Sequence, residues 1–93
     1  MASWYVYMVL TEKSHFYTGI TTDLSRRLQE HLDVYQRKAG AKGAKYFRTQ
    51  KPLAIVYSCC FSERAEASRH EWEIKKLSKI QKAGLVNNSI NLD

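Results

Sequence analysis

The chain has little of what would mark a stapled, zinc-bound, membrane-spanning or linker-jointed protein. It has two cysteines, Cys59 and Cys60, and they are adjacent. On a strand such neighbours point to opposite faces. With no Cys-x-x-Cys and no Cys/His cluster, a structural zinc site is not expected. Two reduced thiols suit a cytoplasmic setting. Its first apolar run, Trp4 to Leu10, spans seven residues with no basic segment before it, too short for a signal peptide or a membrane span. One proline, four glycines and no repeat leave no linker between domains. Acidic residues are scarce: nine against fifteen Lys and Arg, a net charge of +6. That balance points to a polyanionic partner, although a merely soluble basic protein would share it.

What is present suits one small domain. Hydrophobic residues make up 44% of the 93 positions, and six tyrosines, three phenylalanines and two tryptophans supply heavy packing groups. The expected domain covers 1–86, with 87–93 as a coil-like C-terminal tail. Residues from Ser3 to Leu10 are rich in strand formers. Thr11 to Ser14 is a polar turn, and His15 to Thr21 completes a hairpin. Tyr5, Tyr7 and Val9 share one face of the first strand; Trp4, Val6, Met8 and Leu10 share the other. Both faces are bulky, so helices should cover both. Equal-parity pairing would put Tyr7 and Tyr17 on one face and Gly19 beside Tyr7, with no side chain there to block a ligand.

Thr22 and Asp23 can cap a helix whose apolar stripe is Leu24, Leu28, Leu32 and Tyr35. Arg27 and His31 fall on one edge of that stripe. Gln36 to Lys51 carries Arg37, Lys38, Lys42, Lys45, Arg48 and Lys51 with no acid, interrupted by Tyr46 and Phe47. It reads as a basic loop fit for phosphate contact. Pro52 ends it, and Leu53 to Phe61 reads as a third strand. Ser62 can cap a second helix reaching about Leu77, and Ser78-Lys79-Ile80-Gln81 resembles a capping box for a short last helix. The order ββαβαα predicts an α/β fold: a small three-stranded, mainly antiparallel sheet flanked by helices.

Glu71 and Glu73 both lie near the inward stripe of the second helix, formed by Ala67, His70, Ile74 and Leu77. A carboxylate on that edge is costly unless it meets a cation; otherwise Glu71 is a surface charge paired with Lys75. Spacing alone does not choose between the two. Arg27 is either a helix-surface charge or a planar phosphate grip. His31 is either a satisfied polar group or a helper in catalysis. His15 and His70 have no evident partners.

The segments WYVYMVLTEKSHFYTGITTDLSRRLQEH, KGAKYFR and RAEASRHEWEIKKL, in that order, resemble the small standalone proteins of the GIY-YIG nuclease superfamily. Tyr5-Val6-Tyr7 stands for the first motif and Tyr17-Thr18-Gly19 for the second, with packing residues altered. The resemblance places catalytic roles on Tyr7, Tyr17, Arg27 and His31, and the single metal ligand on Glu71 rather than Glu73. It implies a metal-dependent DNA endonuclease using one Mg²⁺ or Mn²⁺, acting on branched, nicked or duplex DNA, in repair or recombination. Which tyrosine serves as the base stays open. The alternative is a non-catalytic nucleic-acid-binding module that kept the fold.

Overall fold

The computed structural model describes residues 3–90, with the side chains of 89 and 90 excepted. Strand β1 (Trp4–Thr11) pairs with β2 (Phe16–Thr21) and with β3 (Pro52–Phe61), giving one sheet in the order β2-β1-β3. Both pairings are antiparallel. Helix α1 (Leu24–Tyr35) and a 3₁₀ turn at Lys45–Arg48 lie on one face. Helices α2 (Arg64–Lys75) and α3 (Lys79–Ile90) lie on the other.

Alternation along the central strand builds this sandwich. Val6 and Met8 pack with Ala67, Ile74 and Val86. Tyr7 and Val9 pack with Val34 and Phe47 on the opposite side. The helices are sealed at their starts. Asp23 accepts the Arg26 amide at 3.0 Å, and Ser78 and Gln81 exchange reciprocal bonds of 2.9 and 3.2 Å. The latter is the expected capping box.

Four local expectations change. Helix α2 begins after Glu63, which makes no side-chain cap, so Ser62 is not its N-cap; the helix stops at Lys75, not Leu77. The coil expected from Asn87 is helical through Ile90, because Val86 is buried and anchors that last stretch. Residues 91–93 lie outside the described range. The inward face of α1 centres on His31 and Val34, both buried, and not on Leu32 and Tyr35. A helix can turn a histidine inward when both ring nitrogens find partners, as they do here. Finally, Phe47 does not interrupt the basic loop for a ligand. It is fully buried and 4.4 Å from the His31 ring.

Candidate active site

The hairpin register decides the first contacts. Tyr7 pairs with Gly19 and Val9 with Tyr17, so both tyrosines face α1. A Cβ at Gly19 would sit 2.6 Å from the Tyr7 hydroxyl and 2.8 Å from its Cζ. The glycine therefore makes room for the tyrosine ring itself, not for a ligand as expected. Tyr7 is 1% exposed, and its hydroxyl lies 2.7 Å from His31 Nε2. Tyr17 packs on His31 and Phe47 with ring centroids 5.3 and 4.9 Å apart, and Tyr46 covers it at 5.2 Å.

The two nitrogens of His31 have different jobs. The Ala44 backbone N–H donates to Nδ1 at 3.1 Å, so Nδ1 must offer its lone pair. A neutral imidazole then carries its proton on Nε2. Nε2–H donates to the Tyr7 hydroxyl oxygen. His31 is fully buried, and burial together with the repulsion of Arg27 pulls its pKa down to about 4. It is neutral at physiological pH.

Acid should expose that cost. An unfolded histidine takes up a proton near pH 6.5 that the folded one refuses until about pH 4. Stability should thus be full above pH 6.5 and fall as pH drops toward 4, by up to roughly 3 kcal/mol. Urea titrations across that range should show the slope, and His31→Asn should flatten it. An equal slope in the variant would assign the acid sensitivity to other groups.

Arg27 completes the near side. Its guanidinium donates to Glu30 at 2.9 Å and to the Lys42 carbonyl at 3.2 Å. It lines a shallow cavity of about 190 Å³ with Thr21, Thr22 and Arg26. Burial pushes the Tyr7 hydroxyl up to about 12. Arg27 beside it works against that rise, while Tyr17 and the Glu71 carboxylate add to it. Glu71 comes from α2, in the opposite layer, yet its charge is felt at Tyr7. Its side chain is 22% exposed against 58% for Glu73, which turns instead to His70.

The family described as the GIY-YIG catalytic domain matches residues 3–83. The chain belongs to the GIY-YIG family. It is 41% identical over 87 residues to a UPF0213 protein of Desulfotalea psychrophila, covering 94% of this chain and 74% of that one. A UPF0213 protein of Staphylococcus haemolyticus is 42% identical over 86 residues, covering 92% and 96%. The solution structure of a UPF0213 protein from Bacillus halodurans superposes with a TM-score of 0.54 at 39% identity, covering 91% of this chain and 83% of that one. That of a protein from E. faecalis gives 0.61 at 30% identity, covering 100% and 91%. Membership supports a nuclease-type function and with it a DNA substrate, and such nucleases generally use a divalent metal ion.

Among the described residues no group of three or more His, Cys, Asp or Glu could hold a metal. A hard cation that keeps most of its waters needs no more than one carboxylate. Glu71 fits that role, provided it gives up its 3.1 Å ion pair with Lys75. No helix of the described residues is long and apolar enough to cross a membrane.

The basic loop of the GIY-YIG domain is more ordered than its composition suggests. Arg37, Lys38, Lys45 and Arg48 come together around a cavity of about 500 Å³. Of these only Lys38 is ion-paired among the described residues, to Asp33 at 3.4 Å. Lys42 and Lys51 lie outside that cavity. The Lys51 backbone instead pairs with Glu12 at 2.9 and 3.0 Å. Arg26, Lys79 and Lys82 also line cavities. Their spacing on ordinary helices gave no sign of it. The two histidines without evident partners have them: His15 meets Gln50 at 3.0 Å and His70 meets Tyr57 at 2.9 Å.

Proposed function

We propose that this GIY-YIG domain is a metal-dependent DNA endonuclease that hydrolyses phosphodiester bonds. The observation that carries the reading is the buried Tyr7 oxygen 2.7 Å from His31 Nε2, with the positive charge of Arg27 nearby. Donors aimed at an oxygen favour its anion. Burial raises the Tyr7 pKa far enough that the bare domain keeps it protonated, so ionisation has to be coupled to a gain of positive charge nearby. Glu71 supplies the place for that charge.

In this reading Glu71 holds Mg²⁺ or Mn²⁺, which when bound stabilises the leaving oxygen and the charge on phosphorus. Tyr7, ionised to the phenolate that His31 Nε2–H and the nearby Arg27 stabilise, would take a proton from the attacking water and become the neutral phenol. His31 is thus a donor to the base and not a base itself. Tyr17 packs against His31 and limits water around it. Arg27 grips the scissile phosphate as negative charge builds there. The cations around the larger cavity bind the sugar-phosphate backbone, which carries no base information. The domain would therefore recognise branched or nicked shape more than sequence, as repair and recombination require. A binding module that merely kept the fold is less well supported, because a buried Tyr7–His31 pair beside an arginine and a carboxylate serves no purpose in binding.

Incubation with branched, nicked and linear DNA, in Mg²⁺, Mn²⁺ or chelator, tests the proposal. Cleavage that chelator abolishes supports it; binding without cleavage on every DNA favours the alternative. Arg27→Ala should lower the single-turnover rate by at least ~10²-fold and change affinity far less. A rate within a few-fold of the parent would make Arg27 a surface charge.

Changing Lys42, Lys45 and Arg48 together to Ala tests the loop. All three side chains are exposed, so folding should be unaffected. The slope of log K against log salt should flatten by roughly 2 to 3 units, at about 0.9 per phosphate contact. Affinity should fall similarly on all sequences. An unchanged slope would put the DNA elsewhere, and a loss confined to branched DNA would mean that the loop reads structure.

A further inference from the structure

Three consecutive backbone units, Lys42 to Ala44, touch the candidate site without contributing a side chain to it. The Lys42 carbonyl accepts from Arg27 at 3.2 Å. Gly43 lies flat on α1: a Cβ there would meet the Glu30 carbonyl carbon at 2.6 Å and His31 Cα at 2.7 Å. Ala44 N–H donates to His31 Nδ1 at 3.1 Å. Ala44 then caps the 3₁₀ turn that buries Phe47 against the His31 ring. On the outer side, Gly43 lines the cavity ringed by Arg37, Lys38, Lys45 and Arg48.

We propose that Lys42–Ala44 is a positioning strap that fixes His31 as the Nε2–H tautomer and holds the Arg27 guanidinium beside Tyr7. The reason is a matter of hydrogen-bond accounting. A neutral histidine free in water samples both tautomers. Only the Nε2–H form can donate to the Tyr7 oxygen, and only a donor delivered to Nδ1 selects it. A side-chain donor would need a rotamer of its own; a backbone amide pressed on the helix needs none. That close approach requires glycine at position 43, because the three nearest atoms that a methyl would strike, the Glu30 carbonyl oxygen and carbon and His31 Cα, all belong to the backbone of α1. The same segment separates the cationic cavity from the catalytic groups. Sugar-phosphate bound in the cavity would rest on the strap and press it toward α1. The loop that binds DNA is therefore the loop that sets the protonation geometry of the site.

This inference rests on the nuclease reading for its kinetic consequence but not for its structural one, and the two can be tested apart. In the ¹⁵N-labelled protein at neutral pH, His31 should show a protonated Nε2 and an unprotonated Nδ1. A through-hydrogen-bond coupling should link Nδ1 to the Ala44 amide nitrogen. Neither measurement needs a variant or any activity. A protonated Nδ1, averaged tautomers or the absence of that coupling would overturn the strap. Gly43→Ala should mix the tautomers and lower the single-turnover rate on cleavable DNA by at least ~10-fold, since a misplacement of about 1 Å can cost ~10²-fold. Its duplex affinity should fall less than its rate, because the cationic side chains around the cavity remain. Unchanged tautomers and rate in a folded Gly43→Ala variant would also overturn it. If no DNA were cut while the His31 tautomer and coupling were found as stated, the nuclease reading would fail and the strap would stand.

Discussion

Glu71→Gln should abolish metal-dependent cleavage, a loss of at least ~10³-fold, while the fold and DNA affinity remain nearly intact. The change removes one negative charge and keeps the shape. A neutral amide is a poor ligand for a hard cation that the protein holds through one carboxylate. Folding should tolerate it, because among the described residues the ion pair lost is the partly exposed one with Lys75 at 3.1 Å, and such pairs contribute little. One consequence separates this account from a generic loss of activity. The Glu71 charge raises the Tyr7 pKa, so the bare Glu71→Gln domain should ionise Tyr7 at lower pH than the parent. Absorbance titration of the phenol, with Tyr7→Phe subtracted, measures that shift. Glu73→Gln is the control: 58% exposed and turned toward His70, it should cleave normally. Cleavage retained in Glu71→Gln and lost in Glu73→Gln would show that the other carboxylate holds the metal.

Tyr7→Phe should reduce the single-turnover rate by ~10³-fold, within the range that a positioned general base supplies. The ring stays, so the packing against Gly19 and Val9 stays with it. What disappears is the oxygen that receives His31 Nε2–H, and the variant leaves that buried donor without a partner. A stability cost of ~1–3 kcal/mol should accompany the kinetic loss. Tyr17→Phe should be milder: its hydroxyl takes no part in the Tyr7–His31 pair, and its ring does the packing. Equal losses in the two tyrosine variants would move the base to Tyr17 or to water held between them. A fully active Tyr7→Phe enzyme would remove tyrosine 7 from the chemistry.

Much of the fold was legible because its signals are local. Period-2 alternation in Trp4–Leu10 announced a strand covered on both sides, and the structure covers it with α1 and with α2 and α3. Asp23 and the Ser78/Gln81 pair marked helix starts through bonds spanning three residues. Equal parity across the hairpin placed Tyr7, Tyr17 and Gly19 together. The rows of polar and apolar residues also brought Arg27 and His31 to one side of α1, one helical turn apart.

The tertiary structure decided what periodicity carries no information about. His31 sits at the centre of a buried face because its two partners, Tyr7 and the Ala44 amide, come from segments far along the chain. A backbone amide leaves no trace in composition. Phe47 is core and not a base-stacking residue, because the loop folds back onto α1 at Gly43. Gly19 is glycine to admit a neighbouring tyrosine and not a ligand. Spacing does not distinguish Glu71 from Glu73; the packing of α2 does, covering Glu71 more than Glu73. By itself the sequence determined the elements, their faces and the residue types available for chemistry, since these follow from short-range geometry. Only the packed fold determined the protonation states and donor directions, since these depend on burial and on partners that no local pattern specifies.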